Sequence, residues 1–256
     1  MEAQTEAEVA AQMEIKSIFT YTDSGPRPVN EDFVLAMPQR GIVTVADGFG
    51  GAVAGFQAAK LGCEAVREFL EREAGDLDAT LPFVLRKSYS LVGNVLFNAV
   101  VHSNRKVFHL NEKKNVHEKG GCSLIAAYLD DSLLAIASAG ACSAFLIRDG
   151  VASELVVPKT YRRLMEPRKV SNLKYPDAPF TALGMCADME PEIAEYRMQP
   201  GDWVMLSTDG ITREVIDDLG RWQHAGGKNA GDAERAIEAL KRVPGHENRA
   251  FGLYVF

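Results

Sequence analysis

From Cys122 to Val157 the chain is a succession of short apolar runs with almost nothing between them. Cys122–Leu129 and Leu133–Ala137 flank Asp130-Asp131, and Ala144–Arg148 and Ala152–Val157 flank Asp149-Gly150. Parallel strands need a crossover of a dozen or more residues, whereas an antiparallel pair closes over two. Asp-Gly between such runs is a strong hairpin signal, because a type I′ turn needs positive φ at both central residues. The stretch therefore reads as an antiparallel meander and not as a βαβ array.

Helical periodicity lies elsewhere. Ala54, Ala58, Leu61, Ala65, Phe69 and Leu70 recur at three- and four-residue spacing, which predicts one helix. A second, over roughly Leu81–Asn111, draws its stripe from Val84, Leu85, Leu91, Val92, Val95, Leu96, Ala99, Val100 and Phe108. The two follow strands expected at Glu14–Tyr21, Phe33–Met37 and Ile42–Ala46, and should pack together on one sheet face. Further strands are expected at Ile193–Met198, Trp203–Leu206 and Phe251–Phe256, with a helix over Asp232–Arg242. Strand runs and helix runs are segregated, so the class is α+β, with helices outside antiparallel sheets. No repeat or linker divides the chain. The expected organisation is a flexible acidic segment over 1–13, then one domain over 14–256 with a proline-punctuated surface insertion at about 158–180.

With 256 residues, 46% of them hydrophobic, the chain can bury a sizeable core. A net charge of −7 argues against a nucleic-acid partner and against an acidic membrane surface. No apolar run approaches the roughly 18 residues that would span a bilayer, and the N-terminus lacks the pattern of a secretion signal. Cys63, Cys122, Cys142 and Cys186 form no Cys-x-x-Cys pair, so reduced, buried thiols in a cytoplasmic protein are expected.

The chemistry rests on acids. The runs Ile42–Ala46 and Trp203–Thr208 end in Asp47-Gly48 and Asp209-Gly210, which places carboxylates at the ends of rigid strands. Glycine lets the backbone turn sharply and leaves a carbonyl free to approach a cation. Glu31 and Asp32 precede a strand, and Glu247 precedes the last one. All are hard oxygen donors, which suit Mg²⁺ or Mn²⁺ and not zinc. Two such cations sharing a carboxylate can activate a water for in-line attack on phosphorus. Arg27 can offer phosphate oxygens a forked contact. An Asp-Gly pair taken singly is more often just a turn; it is the company of Arg27, Glu31 and Asp32 that reverses the balance.

In order, Arg27-Pro28-Val29-Asn30-Glu31-Asp32, Asp47-Gly48-Phe49-Gly50-Gly51, Gly201-Asp202 through Asp209-Gly210, and Glu247-Asn248 before a terminal strand resemble the metal-dependent protein phosphatases, the protein phosphatase 2C or PPM family. Weaker echoes are Gly120-Gly121-Cys122-Ser123 and Thr181-Ala182-Leu183-Gly184. The resemblance implies a four-layer αββα sandwich in which two antiparallel sheets are flanked by helices. It implies two Mn²⁺ or Mg²⁺ ions, with Asp47 bridging both, the Gly48 carbonyl on one, and Asp209 and Glu247 on the other. Glu31 and Asp32 would hold metal-bound waters, Arg27 would bind phosphate, and a metal-bridging water would attack with no phosphoenzyme. The implied substrate is a protein phosphorylated on Ser or Thr, and the implied partner a cognate kinase or that kinase's substrate.

The chain departs from the family pattern at four positions. Glu247 stands where the last ligand is normally Asp. Ala141 and Met185 stand where bacterial members carry acids of a third metal site, so the expectation is a dinuclear core alone. Phe49 replaces a histidine proposed as general acid in eukaryotic members, and His102, His109 and His117 cannot be brought to the site by sequence. The insertion carries Arg162 and Arg163 among its basic residues. These read either as a rim that attracts phosphoprotein or as a solvated loop. A phosphoprotein-binding pseudophosphatase and a phosphatase acting on small esters are the competing functions.

Overall fold

The computed structural model describes residues 13–73, 85–165, 178–226 and 230–256. Ten strands form two five-stranded sheets. They are β1 (Ser17–Asp23), β2 (Phe33–Met37), β3 (Ile42–Phe49), β4 (Gly121–Asp130), β5 (Leu133–Ala139), β6 (Ser143–Arg148), β7 (Val151–Val156), β8 (Glu192–Arg197), β9 (Trp203–Ser207) and β10 (Arg249–Val255). One sheet runs β1-β10-β9-β6-β7 and the other β2-β3-β4-β5-β8, with every neighbouring pair antiparallel. The helices are α1 (Ala52–Glu73), α2 (Leu91–Asn111), α3 (Tyr161–Met165), α4 (Arg213–Gly226) and α5 (Ala230–Lys241).

Strand alternation sorts the core into three layers. Val43, Val45, Ile125, Ala127, Val204, Leu206, Ala250 and Tyr254 fill the space between the sheets. Ile42, Ala46, Leu124 and Ala126 point the other way, beneath α1 and α2. Phe145, Trp203, Met205, Phe251 and Leu253 face α4 and α5 through Val215, Ile216, Leu219 and Ile237. Each fully buried large side chain contributes about 1.5–3 kcal/mol relative to exposure. The expected αββα sandwich is what forms, with α1 and α2 paired on one face.

The turns behave as read. Arg148 pairs with Val151 across Asp149 and Gly150, whose φ values are +51° and +83°. Positive φ at both is the type I′ signature.

Several boundaries move for local reasons. The second helix begins at Leu91 and not at Leu81, because Ser90 takes the N-cap and its Oγ accepts from the Gly93 N–H at 3.0 Å; residues 74–84 lie outside the described ones. The last strand begins at Arg249, whose guanidinium is buried against Asp23 of its neighbour strand. A charge hidden by pairing does not look like strand sequence. The helix α4 went unpredicted. Only Val215, Ile216, Leu219, Gly220 and Gln223 are buried among its described side chains, between runs of charged residues. Cys63, Cys122 and Cys142 are buried thiols as expected, but Cys186 is exposed. The segment 1–12 and the insertion residues 166–177 are outside the described residues.

Candidate active site

The inner face of β3 runs Val43, Val45 and then Asp47, so alternation carries a carboxylate into the end of the layer between the sheets. On β9 the same face runs Val204, Leu206 and then Thr208. Thr208 Oγ1 donates to Asp32 Oδ2 at 2.8 Å and accepts from the Ala250 N–H at 2.9 Å. Asp32 is thereby fixed although only 2% exposed.

The loop between β1 and β2 is tied down from the far end of the chain. Asn248 donates to the carbonyls of Ser24 and Val29, at 2.9 and 3.0 Å, and its Oδ1 accepts from the Glu31 N–H at 3.0 Å. Arg27 lies in that loop, and its Nη2 meets Glu247 Oε2 at 2.8 Å. Asn248 and Thr208 stand in the quoted motifs, but neither is assigned a role from the sequence. The signal was present in both cases: Asn248 follows Glu247, and Thr208 precedes Asp209.

One cavity of about 310 Å³ gathers Arg27, Glu31, Asp32, Asp47, Gly48, Asp209 and Glu247, with Phe49 and Asn248 on its wall. Five carboxyl groups therefore share a small space with one guanidinium, and the electrostatics show it. Burial, then the nearby charge of Asp209, pushes the Asp32 carboxyl up to about 7 despite the Thr208 hydrogen bond. Burial, then Asp209 and Asp32, holds Asp47 well above the usual carboxylate range. Burial also raises Glu31, partly offset by Arg27. A crowd of this kind invites a divalent cation, which replaces the repulsion by attraction.

The donors fit Mg²⁺ or Mn²⁺: all are hard oxygens, and such ions keep part of their water shell. Among the described residues, no three acidic, His or Cys side chains already converge as a complete cage, and Glu247 is paired with Arg27. The backbone at Gly48 fits as well. A Cβ there would collide with the Gly55 carbonyl, so only glycine lets β3 pass this close to α1 where it lines the cavity.

Arg162 and Arg163 are not in this cavity. They line a neighbouring one of about 460 Å³ that shares Asp209 and is also walled by Ala141, Ser143 and Arg213. Arg163 is held by Glu154 at 3.1 Å. Ala141 is buried on that wall, whereas Met185 is 50% exposed, and neither lines the acidic cavity. Phe49 lies across Gly121, where a Cβ would meet its ring at 2.6 Å. None of the described histidines lines the acidic cavity; His102 packs on Phe69 with ring centroids 5.6 Å apart.

A family model described as protein phosphatase 2C matches residues 29–241. The serine/threonine protein phosphatase PstP of Mycobacterium tuberculosis is 26% identical over 228 residues, which cover 87% of this chain and 41% of that protein. The chain thus spans about two-fifths of that relative's length. A putative protein phosphatase 2C-type protein of Streptococcus pyogenes serotype M6 is 24% identical over 209 residues, covering 77% of this chain and 79% of that one. Among solved structures, the M. tuberculosis phosphatase PstP/Ppp matches with a TM-score of 0.72 at 22% identity, over 94% of this chain and 98% of its own. The catalytic domain of PstP in complex with two manganese ions gives 0.71 at 22% identity, over 93% and 97%. Stp1 from Staphylococcus aureus gives 0.73 at 17% identity, over 95% and 97%.

Proposed function

This chain belongs to the protein phosphatase 2C family, and from that premise we propose that it is a metal-dependent phosphatase of phosphoserine and phosphothreonine in proteins, opposing a kinase in regulation. The observation that carries the reading is the single cavity in which Arg27, Glu31, Asp32, Asp47, Asp209 and Glu247 meet. A relative of the same fold has been seen with two manganese ions, and the oxygen donors here suit the same pair of Mn²⁺ or Mg²⁺ ions. The cytoplasmic setting expected from sequence is supported by its free thiols.

The residue roles proposed are those the family resemblance implies, supported by the gathering of these residues in one cavity. Asp47, at the end of β3, is the carboxylate that the family resemblance would have two cations share, with the Gly48 carbonyl as a further donor. Asp209 and Glu247 would complete the set of cation ligands, and Glu31 and Asp32 would hold water bound to the cations. Two bound cations supply Lewis-acid activation of a water and neutralise charge that develops during in-line displacement at phosphorus. The chain's own part is to hold the ester. Arg27 offers its guanidinium to the phosphate oxygens in a forked geometry. Its present partner, Glu247, is a rim pair exposed by half on each side, so exchanging it for phosphate costs little. Phe49 walls the cavity and excludes solvent from one side. The leaving hydroxyl takes its proton from water, since no histidine lines the cavity among the described residues.

Arg162 and Arg163, across Asp209, form a basic wall for the acidic flank of a phosphoprotein. Charge reversal at both is expected to raise KM for a phosphothreonine peptide at low salt and to leave p-nitrophenyl phosphate turnover unchanged. Equal KM values would return them to the role of a solvated loop.

The deciding assay measures hydrolysis of p-nitrophenyl phosphate and of a phosphothreonine peptide in Mn²⁺, in Mg²⁺ and in EDTA, with Asp47→Asn as control. Metal-dependent turnover of both is expected. No turnover would make the chain a phosphoprotein-binding pseudophosphatase, and turnover of the small ester alone would make it a small-molecule phosphatase.

A further inference from the structure

Several buried hydroxyls in this protein find partners. Thr44 bonds the Leu35 carbonyl, Ser103 the Gly62 carbonyl, Ser143 bonds Ser207, and Thr208 bonds Asp32. Ser123 does not. It is 0% exposed, and its Oγ has no hydrogen-bond partner among the described residues. An unmade hydrogen bond of this kind is costly, and natural proteins keep few.

Its place explains why one is kept here. Ser123 lies on β4 directly opposite Asp47 on β3, in the register that also pairs Val45 with Ile125 and Val43 with Ala127. Those four residues all face the layer between the sheets, so by strand alternation Ser123 and Asp47 project to the same side. Directly opposed residues have Cβ atoms about 4.5–5.5 Å apart. On its other flank the hydroxyl is confined by Gly140, at φ +105°, where a Cβ would stand 2.5 Å from Ser123 Oγ. Ser123 thus has the Gly140 backbone on one flank and, across the β3–β4 register, Asp47 on the other.

We infer that Ser123 is a positioning residue for Asp47: its hydroxyl donates to the Asp47 carboxylate when that carboxylate holds the metal pair. This rests on the metal reading proposed above. A bridging carboxylate spends lone pairs on cations and is free to rotate unless a further contact fixes it, and such outer contacts are worth roughly 10–100-fold in metal affinity. Ser123 touches neither substrate nor metal in this role; it sets the orientation of the residue that does.

The test separates this role from a structural one. Metal-free protein, wild type and Ser123→Ala, is titrated with Mn²⁺ by calorimetry, and each is melted in EDTA. Ser123→Cys, which keeps a side-chain donor but a weaker and slightly larger one, is carried alongside. The expectation is a loss of Mn²⁺ affinity of about tenfold or more in Ser123→Ala, a smaller loss in Ser123→Cys, and a Tm in EDTA equal to or above that of wild type, because an unsatisfied hydroxyl has been removed. Equal Mn²⁺ affinity in wild type and Ser123→Ala would overturn the inference while leaving the metal reading intact. A fall of Tm in EDTA for both variants would also overturn it, showing that the hydroxyl serves the fold. Wild-type protein that binds no Mn²⁺ would overturn the metal reading, and this inference with it.

Discussion

Asp47 carries a carboxylate into a layer otherwise filled by Val43, Val45, Ile125 and Ala127. Within the proposed mechanism, Asp47→Asn removes the charge that the cations share, so turnover of p-nitrophenyl phosphate in saturating Mn²⁺ should fall at least about 100-fold. The same variant melted in EDTA should be no less stable than wild type, because the repulsion among Asp32, Asp47 and Asp209 is relieved. Gly48→Ala should do the opposite to the fold: its Cβ collides with the Gly55 carbonyl, and overpacking of that kind costs about 1–3 kcal/mol. Denaturant unfolding in EDTA reads that loss directly. At this scale the sequence said a good deal. Acids after apolar runs and before glycine were visible as such, whereas the parts played by Thr208, Asn248 and Ser123 were not. Their neighbours Glu247 and Asp209 marked the place of two of them, but nothing local says which residue, far along the chain, a hydroxyl or amide will reach.

Arg148 and Asp202 join the end of β6 to the turn before β9 through two bonds of 2.7 and 2.6 Å, with Asp202 almost wholly buried. Burial of the carboxylate is tolerated because the guanidinium meets both of its oxygens. Arg148→Ala would strand that charge, and since Arg148 is itself partly exposed the expected cost is about 2 kcal/mol. Asp202→Asn in the Arg148→Ala background should recover part of it, as a double-mutant cycle by urea denaturation would show. The cap of α2 gives a milder case: Ser90→Ala loses the bond to the Gly93 N–H and should cost about 1 kcal/mol. Elements with strong periods, such as α1 and the β6–β7 hairpin, were readable because the pattern and the turn chemistry agree. The helix α4 was missed because its narrow buried stripe lies among charges. The start of α2 was misplaced because an apolar stripe marks where a helix is buried, not where capping lets it begin.

For the whole molecule the site is a liability without cations. The folded-state pKa values of Asp32, raised to about 7, and of Asp47, raised well above the usual range, exceed those of the unfolded chain. Between about pH 4 and pH 7 the native state therefore binds more protons than the unfolded state, so these groups make stability fall as pH rises through that window. In EDTA the difference in unfolding free energy between wild type and Asp32→Asn should move in favour of the variant from pH 5 to pH 7.5. Saturating Mn²⁺ should reverse it, with a stabilisation of about 2.7 kcal/mol at 100 times Kd.

The α+β class, the antiparallel meander, the pairing of α1 with α2 and the set of acids that could matter all follow from the sequence, because periodicity and turn residues act over a few positions. The tertiary structure alone decided which of those acids share one cavity, that Arg27 pairs with Glu247 across 220 residues while Arg162 and Arg163 stand in the next cavity, and that a buried hydroxyl faces Asp47. Contacts of that kind are set by strand order and register, which bring together side chains that no local pattern relates.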